Sequence, residues 1–178
     1  MANWIALLRG INVGGRNKVP MAALRDLCEG LGWAKVETFI QSGNVVFEAV
    51  GTAATLETGL EDALESRFGF RPAALVRSAA AWSKLLEANP FAAEAEAEPA
   101  KVMVAVAKKT LASGAATAIA AKAAAGEKVR EAGGALWFHY PDGAGRSKLT
   151  PSAIDKAAGS PVTARNWRTA QALKDMIG

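Results

Sequence analysis

Ten residues from Arg9 to Lys18 hold the densest chemistry in the chain: three glycines (Gly10, Gly14, Gly15), three cations (Arg9, Arg16, Lys18) and no acid. Glycine allows positive φ and close approach of the backbone, so such a loop can turn its N–H groups toward a negative ligand. Arg9 and Arg16 offer planar forks, and Lys18 offers a point charge. These donors suit phosphate or carboxylate, each charge-assisted bond contributing about 1.5–3 kcal/mol. Asn12, Gly14 and Gly15 complete the candidate ligand set of this loop. Gly10 and Gly15 have P-loop spacing, but Arg16 and Asn17 follow where Lys and Ser or Thr are needed. A dinucleotide fingerprint would need a third glycine that has no counterpart here. Nucleotide hydrolysis therefore has no support in the sequence.

Three further segments share this character. Gln41, Ser42 and Asn44 surround Gly43 in a polar turn between apolar runs, where turn chemistry alone accounts for Ser, Gly and Asn but not for Gln41. Arg146, Ser147 and Lys148 follow two glycines at an expected helix start, with Ser147 as a candidate N-cap. Arg165, Asn166 and Arg168 flank Trp167, and the pattern places them at the opening of a terminal helix. Cations there oppose the helix dipole at about 0.3–1 kcal/mol each, a cost that a bound anion or a carboxylate from elsewhere in the fold would reverse.

Other catalytic chemistry is scarce. The chain has one histidine and one cysteine, which argues against a transition-metal site and excludes an internal disulfide. Cys28 falls on an apolar helical stripe, where burial would make it a poor nucleophile. His139 alternates with the apolar residues of a strand and reads as a structural or interface residue. Glu61, Asp62 and Glu65 read as solvated charge on a helix. Ser42 and Ser147 have no identifiable base, and no residue pattern names a cofactor.

The net charge of +4 is uneven. Residues 1–90 carry nine cations and nine acids, and residues 91–178 carry twelve and eight. Seven of the cations lie in the three basic segments, and without them the chain would be at −3. The basic character thus belongs to the motifs. No apolar run reaches membrane-spanning length, and residues 1–8 lack the form of a signal peptide, so a cytoplasmic protein is expected.

These residues must be positioned by the elements between them. Trp4–Leu8 reads as a strand and Pro20 as a first helical position. Met21, Leu24, Leu27, Cys28 and Leu31 follow a helical stripe that Gly32 stops. Strands at 35–40 and 44–47 form a hairpin. A helix through Leu56, Leu60, Leu64 and Phe68 ends at Gly69, and a strand follows at 73–77. The order β-α-β-β-α-β is that of a ferredoxin-like unit. Trp82, Leu85 and Leu86 mark a short helix, and 91–99 reads as linker. The order then repeats with a strand at 101–107, an alanine-rich helix at 111–125, strands at 128–132 and 135–140, a helix at 151–158, a strand stub at 162–163 and a helix at 167–177. The expectation is an α+β chain of two tandem ferredoxin-like halves plus a C-terminal helix. Residues 1–78 form the first half, 79–100 the helix and linker, and 101–178 a less regular second half.

The segments RGINVGGRNKVPM (9–21), FIQSGNVVF (39–47), GRSKLT (145–150) and TARNWRT (163–169) together resemble the bacterial domain-of-unknown-function 1697 family. The resemblance runs over essentially the whole chain, in order. It implies a two-part α/β fold with ferredoxin-like halves, and it implies no activity.

Three functions compete on the residues. The first is a cleft in which the basic motifs converge on a small anion, a phosphorylated metabolite or nucleotide. The second is an RNA or single-stranded DNA binder that stacks bases on the strand aromatics Phe39, Phe47, Trp137 and Tyr140. The third is an assembly or regulatory domain that packs through the smooth alanine-rich helix, with oligomers possible. No membrane partner is expected.

Overall fold

The computed structural model describes residues 1–178. The chain divides into two compact units, Met1–Trp82 with Leu173–Gly178, and Ser83–Ala172.

The first unit begins with strand β1 (Ala2–Leu8), helix α1 (Met21–Gly30), strands β2 (Ala34–Phe39) and β3 (Asn44–Ala49), helix α2 (Ala53–Phe68) and strand β4 (Ala74–Ser78). Its antiparallel sheet has the order β2-β3-β1-β4. Alternation along the strands sends Trp4, Ala6, Leu8, Val45, Phe47, Ala49, Ala74 and Val76 to one face. There they meet Leu24, Leu27 and Cys28 of α1 and Leu56, Leu60 and Leu64 of α2. Trp33 stacks on Phe47 at 3.8 Å between ring centres. The α2 boundaries are set by a capping box at Thr52 and Thr55 and by Gly69 in the left-handed conformation. At α1, Pro20 is the residue before the helix and not its first position.

After helix α3 (Ala79–Glu87), the linker segment contains helix α4 (Ala92–Ala97), seated by the buried Phe91 and Ala95. Alternating Ala and Glu gave no apolar stripe there, because a helix this small anchors through only two residues.

The second unit repeats the order with β5 (Val102–Ala107), α5 (Ala115–Ala120), β6 (Lys128–Ala132), β7 (Ala135–His139), α6 (Pro151–Ala158) and β8 (Val162–Asn166). Helix α7 (Trp167–Ile177) ends the chain, and its residues from Leu173 onward group with the first unit. The second sheet, β6-β7-β5-β8, has the same strand order as the first. Its core joins Ala105, Ala107, Leu136, Phe138, Tyr140 and Val162 to Ala115 and Ile119 of α5 and Ala158 of α6.

Three expectations fail here for physical reasons. Helix α5 covers six residues, not the fifteen that alanine content suggested. Only Ala115 and Ile119 bury, and beyond Ala120 the bonds tighten to Lys122→Ile119 and Ala123→Ala120. Propensity without an apolar face to pack does not carry a helix further. Secondly, α6 is capped by Thr150, whose hydroxyl accepts from Ala153 N at 3.1 Å. Ser147 instead accepts from Leu149 N within the preceding turn. Thirdly, β8 is a full strand, Val162–Asn166, and not a stub at 162–163, so Arg165 lies within the strand while Asn166, its last residue, caps the terminal helix.

The sheet edges explain several charged residues. On edge strand β4, Ala74 N donates to Glu61 and Val76 N donates to Glu57, both at 2.9 Å. Arg77 donates to the carbonyl of Val76. Glu61 is therefore buried and structural, not solvated, while Asp62 and Glu65 are the outer partners of Arg71. Edge strand β8 uses the same device. Val162 N donates to Asp155, and Arg165 donates to the carbonyl of Ala164. Edge strand β2 is broken instead by an irregular register between Ala34 and Glu37, with Lys35 at φ 48°. Each device denies a further strand its ladder.

Cys28 is fully buried, and burial pushes its thiol up to about 12 from an ordinary 9.0, with Glu29 adding to the shift. The folded thiol ionises above the unfolded one. Its contribution to stability is therefore whole below pH 9 and declines as pH rises toward 12. The decline is expected to reach about 1.4 kcal/mol by pH 10. Urea unfolding at pH 8 and pH 10, compared with Cys28→Ala, measures it.

Candidate functional site

The loop between β1 and α1 is a small hairpin of its own. Val13 and Arg16 bridge, with Arg16 N donating to Val13 O at 3.0 Å. Between them Gly14 and Gly15 sit at φ 58° and 74°, the pair of positive values that a two-residue hairpin turn requires. These two glycines are thus accounted for by the turn. The turn also leaves the loop tip exposed, with Arg16 and Lys18 in solvent.

Asn12 holds the base of this hairpin. Its carboxamide accepts from Val19 N at 2.8 Å and donates to Val19 O at 3.0 Å and to Gln41 O at 2.8 Å. Asn17 adds a bond to Gly10 O. Asn12 and Asn17 both have positive φ, which asparagine tolerates better than most residues. Ile11 and Val19 flank the hairpin and are buried, so the loop is pinned at both ends.

The tip joining β2 and β3 packs beside it. Leu8 N donates to Gly43 O at 2.8 Å. Asn44 is fully buried and donates to Phe39 O and to Ser42 Oγ. Asn44 is therefore an internal brace of the turn. Gln41 stays exposed, and its backbone oxygen is the one that Asn12 holds.

Asn12, Gly15, Lys18, Val19, Pro20 and Gln41 line one cleft of about 290 Å³. Pro20 leads into α1, which has neither a side-chain N-cap nor an acid in its first turn. The other main helices are served differently. Thr52 and Thr150 cap α2 and α6. Ser78 accepts from Ala81 N at α3, and Asn166 accepts from Thr169 N at α7. Free N–H groups and an uncompensated helix dipole at a cleft that holds Lys18 favour a negative ligand.

The structure thus brings Asn12, Gly15, Lys18 and Gln41 to one cleft, with Gly14 and Arg16 on the adjoining tip. Arg9 is half-buried at the end of β1, where its N–H donates to Ala73 O. Ser42 and Asn44 serve the turn. The remaining candidates lie in the second unit. Arg146 ends a short 3₁₀ turn, with Ser147 and Lys148 after it, and both cations are exposed. Arg165 is buried and bonded to Thr163 Oγ1 at 2.7 Å, and burial pushes its guanidinium down to about 10. Asn166 caps α7, and Arg168 is exposed on that helix.

Sequence reading missed Val19 and Pro20 as parts of the cleft. The signal was present in Pro20, which cannot supply the capping oxygen that Ser, Thr or Asp would. Among the described residues no group of three His, Cys, Asp or Glu side chains could hold a metal, and no helix is long and apolar enough to cross a membrane.

The chain is similar to a solved structure, conserved bacterial protein SP0830 from Streptococcus pneumoniae, at 24% identity. The match covers 99% of each chain with a TM-score of 0.74, which establishes a shared fold. No curated protein matches the chain. A family model described as a protein of unknown function matches residues 1–137, from β1 through most of β7, and the chain belongs to that family, DUF1697.

Proposed function

We propose that the protein binds a small phosphate-type anion in the cleft between the glycine hairpin, the turn at Gln41 and the N-terminus of α1. The observation that carries this reading is the uncapped start of α1 behind a cleft lined by Lys18. An anionic oxygen there would accept from the first-turn N–H groups and pair with Lys18, with Arg16 reaching in from the tip. Gln41 and Gly15 would orient the rest of the ligand. At about 290 Å³ the cleft is at the lower end of the ligand-pocket range, so a phosphorylated metabolite or mononucleotide fits better than a dinucleotide. Both halves read as ferredoxin-like units, on the strength of the repeated element order and strand order.

Nucleic-acid binding ranks below this. Phe47, Trp137 and Tyr140 are buried, so three of the four strand aromatics have no face to offer a base.

A thermal-shift panel of phosphate, sulfate, nucleotides, sugar phosphates and short RNA and DNA oligomers tests the proposal. One phosphorylated small molecule is expected to stabilise the protein, by about 2.7 kcal/mol at 100 times its Kd. Lys18→Ala and Arg16→Ala are each expected to lose about half of that gain, the effect of a tenfold weaker Kd at the same ligand concentration. Both residues are exposed, so the variants should unfold at the wild-type temperature without ligand. A panel with no selective shift would remove the reading. A response to oligomers alone, falling steeply with salt, would replace it with nucleic acid.

A further inference from the structure

Of the four sheet edges, β6 alone has neither a carboxylate or arginine bonded along its outer backbone nor a break in register; its protection is limited to its own charges and to helix α5 packed against it. Carboxylates and an arginine close β4, the same device closes β8, and a break in register disrupts β2. Strand β6 pairs regularly with β7 over Lys128–Ala132, with no bulge and no proline. The Ala132 carbonyl accepts from Trp137 Nε1, and no other side chain or backbone group outside the β7 ladder bonds to the backbone of Lys128–Ala132. Lys128, Arg130 and Glu131 are exposed along it. Such an edge is a template for one more strand.

Its charges select against a second copy of this chain. Two copies that pair antiparallel about a two-fold axis must match residues pointing to the same face. Three registers pair at least three residues of the strand. They set Lys128 against Arg130, Arg130 against Arg130, or Glu131 against Glu131. Like charges directly opposite each other destabilise every one of these pairings.

We propose that the outer edge of β6 accepts an extended acidic segment of another protein as a fifth strand. The register dictates the chemistry of that segment. Carboxylates two residues apart face Arg130 and Lys128. The residue between them, on the other face, is apolar and sits opposite Val129. A cation precedes the first acid and faces Glu131. Read antiparallel, the pattern is Lys-Glu-Val-Glu. The backbone ladder supplies affinity and the alternating charges supply selection.

A capped hexapeptide, Thr-Lys-Glu-Val-Glu-Thr, is the probe, and amide hydrogen exchange of residues 128–132 is the readout. At ten times its Kd, the peptide is expected to slow exchange there about tenfold. The charge-reversed peptide Thr-Glu-Lys-Val-Lys-Thr is expected to have no effect. In the double variant Lys128→Glu/Arg130→Glu, whose positions are exposed, the preference is expected to invert. Unchanged exchange at millimolar peptide would overturn the proposal, and so would equal binding of both peptides. Concentration-dependent protection of 128–132 without any peptide would identify a second copy as the occupant and overturn it as well.

Discussion

Replacing Gly43 by alanine is expected to destabilise the first unit by about 2–5 kcal/mol, the sum of backbone strain and overpacking. Gly43 has φ 88°, a conformation that side chains rarely adopt. A Cβ there would lie 2.7 Å from Ile11 Cδ1 and 2.8 Å from Leu8 Cβ. Leu8 Cβ is fixed to β1 and cannot yield without moving the strand, while Ile11, fully buried, must repack its side chain. Urea unfolding measures the loss. Gly14→Ala is the control, because a Cβ at that position meets nothing within 4 Å. It carries only the strain of positive φ, about 1–2 kcal/mol. Equal losses at the two positions would show that close packing at Gly43 does not brace the loop.

The double variant Glu57→Ala/Glu61→Ala is expected to cost about 2–6 kcal/mol and to cause concentration-dependent association. Each substitution takes a carboxylate acceptor from a β4 N–H, at about 1–3 kcal/mol. Glu57 also stands 3.7 Å from Arg77, and Glu61 stands 3.3 Å from Arg71. The Arg71 pair is 41% exposed on the arginine side and adds little after solvent screening. With both acceptors gone, the β4 edge is open to another strand. Glu57→Gln/Glu61→Gln keeps a carbonyl acceptor at each site and should lose less than half as much. Unfolding curves give the first quantity and sedimentation gives the second. A double alanine variant as stable and monodisperse as wild type would contradict the role of these carboxylates.

Much of the fold was legible because period-two and helical patterns were strong where both sides of an element bury. Strand β1, helix α2 with Gly69, and helix α6 from Pro151 to Ala158 fell within a few residues of their expected places. The misreadings share a cause. Helix α5 looked long because alanine favours helix, yet tertiary contact sustains only the turn around Ala115 and Ile119. Strand β8 looked like a stub at 162–163, with Arg165 assigned to the helix opening that Asn166 and Trp167 do form, because the edge strand hides its alternation behind polar side chains that serve its own backbone. Glu61 looked solvated because its partner, the N–H of Ala74, lies thirteen residues away in sequence.

The candidate site was legible in part. Glycines and cations of the loop were visible, but their division of labour was not. Gly14 and Gly15 answer to a turn, Asn12 and Asn44 to internal bracing, and Lys18 and Gln41 to a cleft. That division depends on which face of the hairpin packs on the β2–β3 turn, a tertiary fact with no local sequence signature.

The central claim is that an anion sits on the N-terminus of α1 beside Lys18. Backbone amide shifts in a ¹⁵N NMR titration with inorganic phosphate at constant ionic strength test it most directly. Saturable shifts are predicted at Gly15, Met21, Ala22 and the Gln41 side chain, and Lys18→Ala should weaken them about tenfold, the loss of one charge-assisted contact. Shifts that fail to saturate, or that spread over the exposed lysines and arginines alike while the α1 amides stay still, would contradict the account.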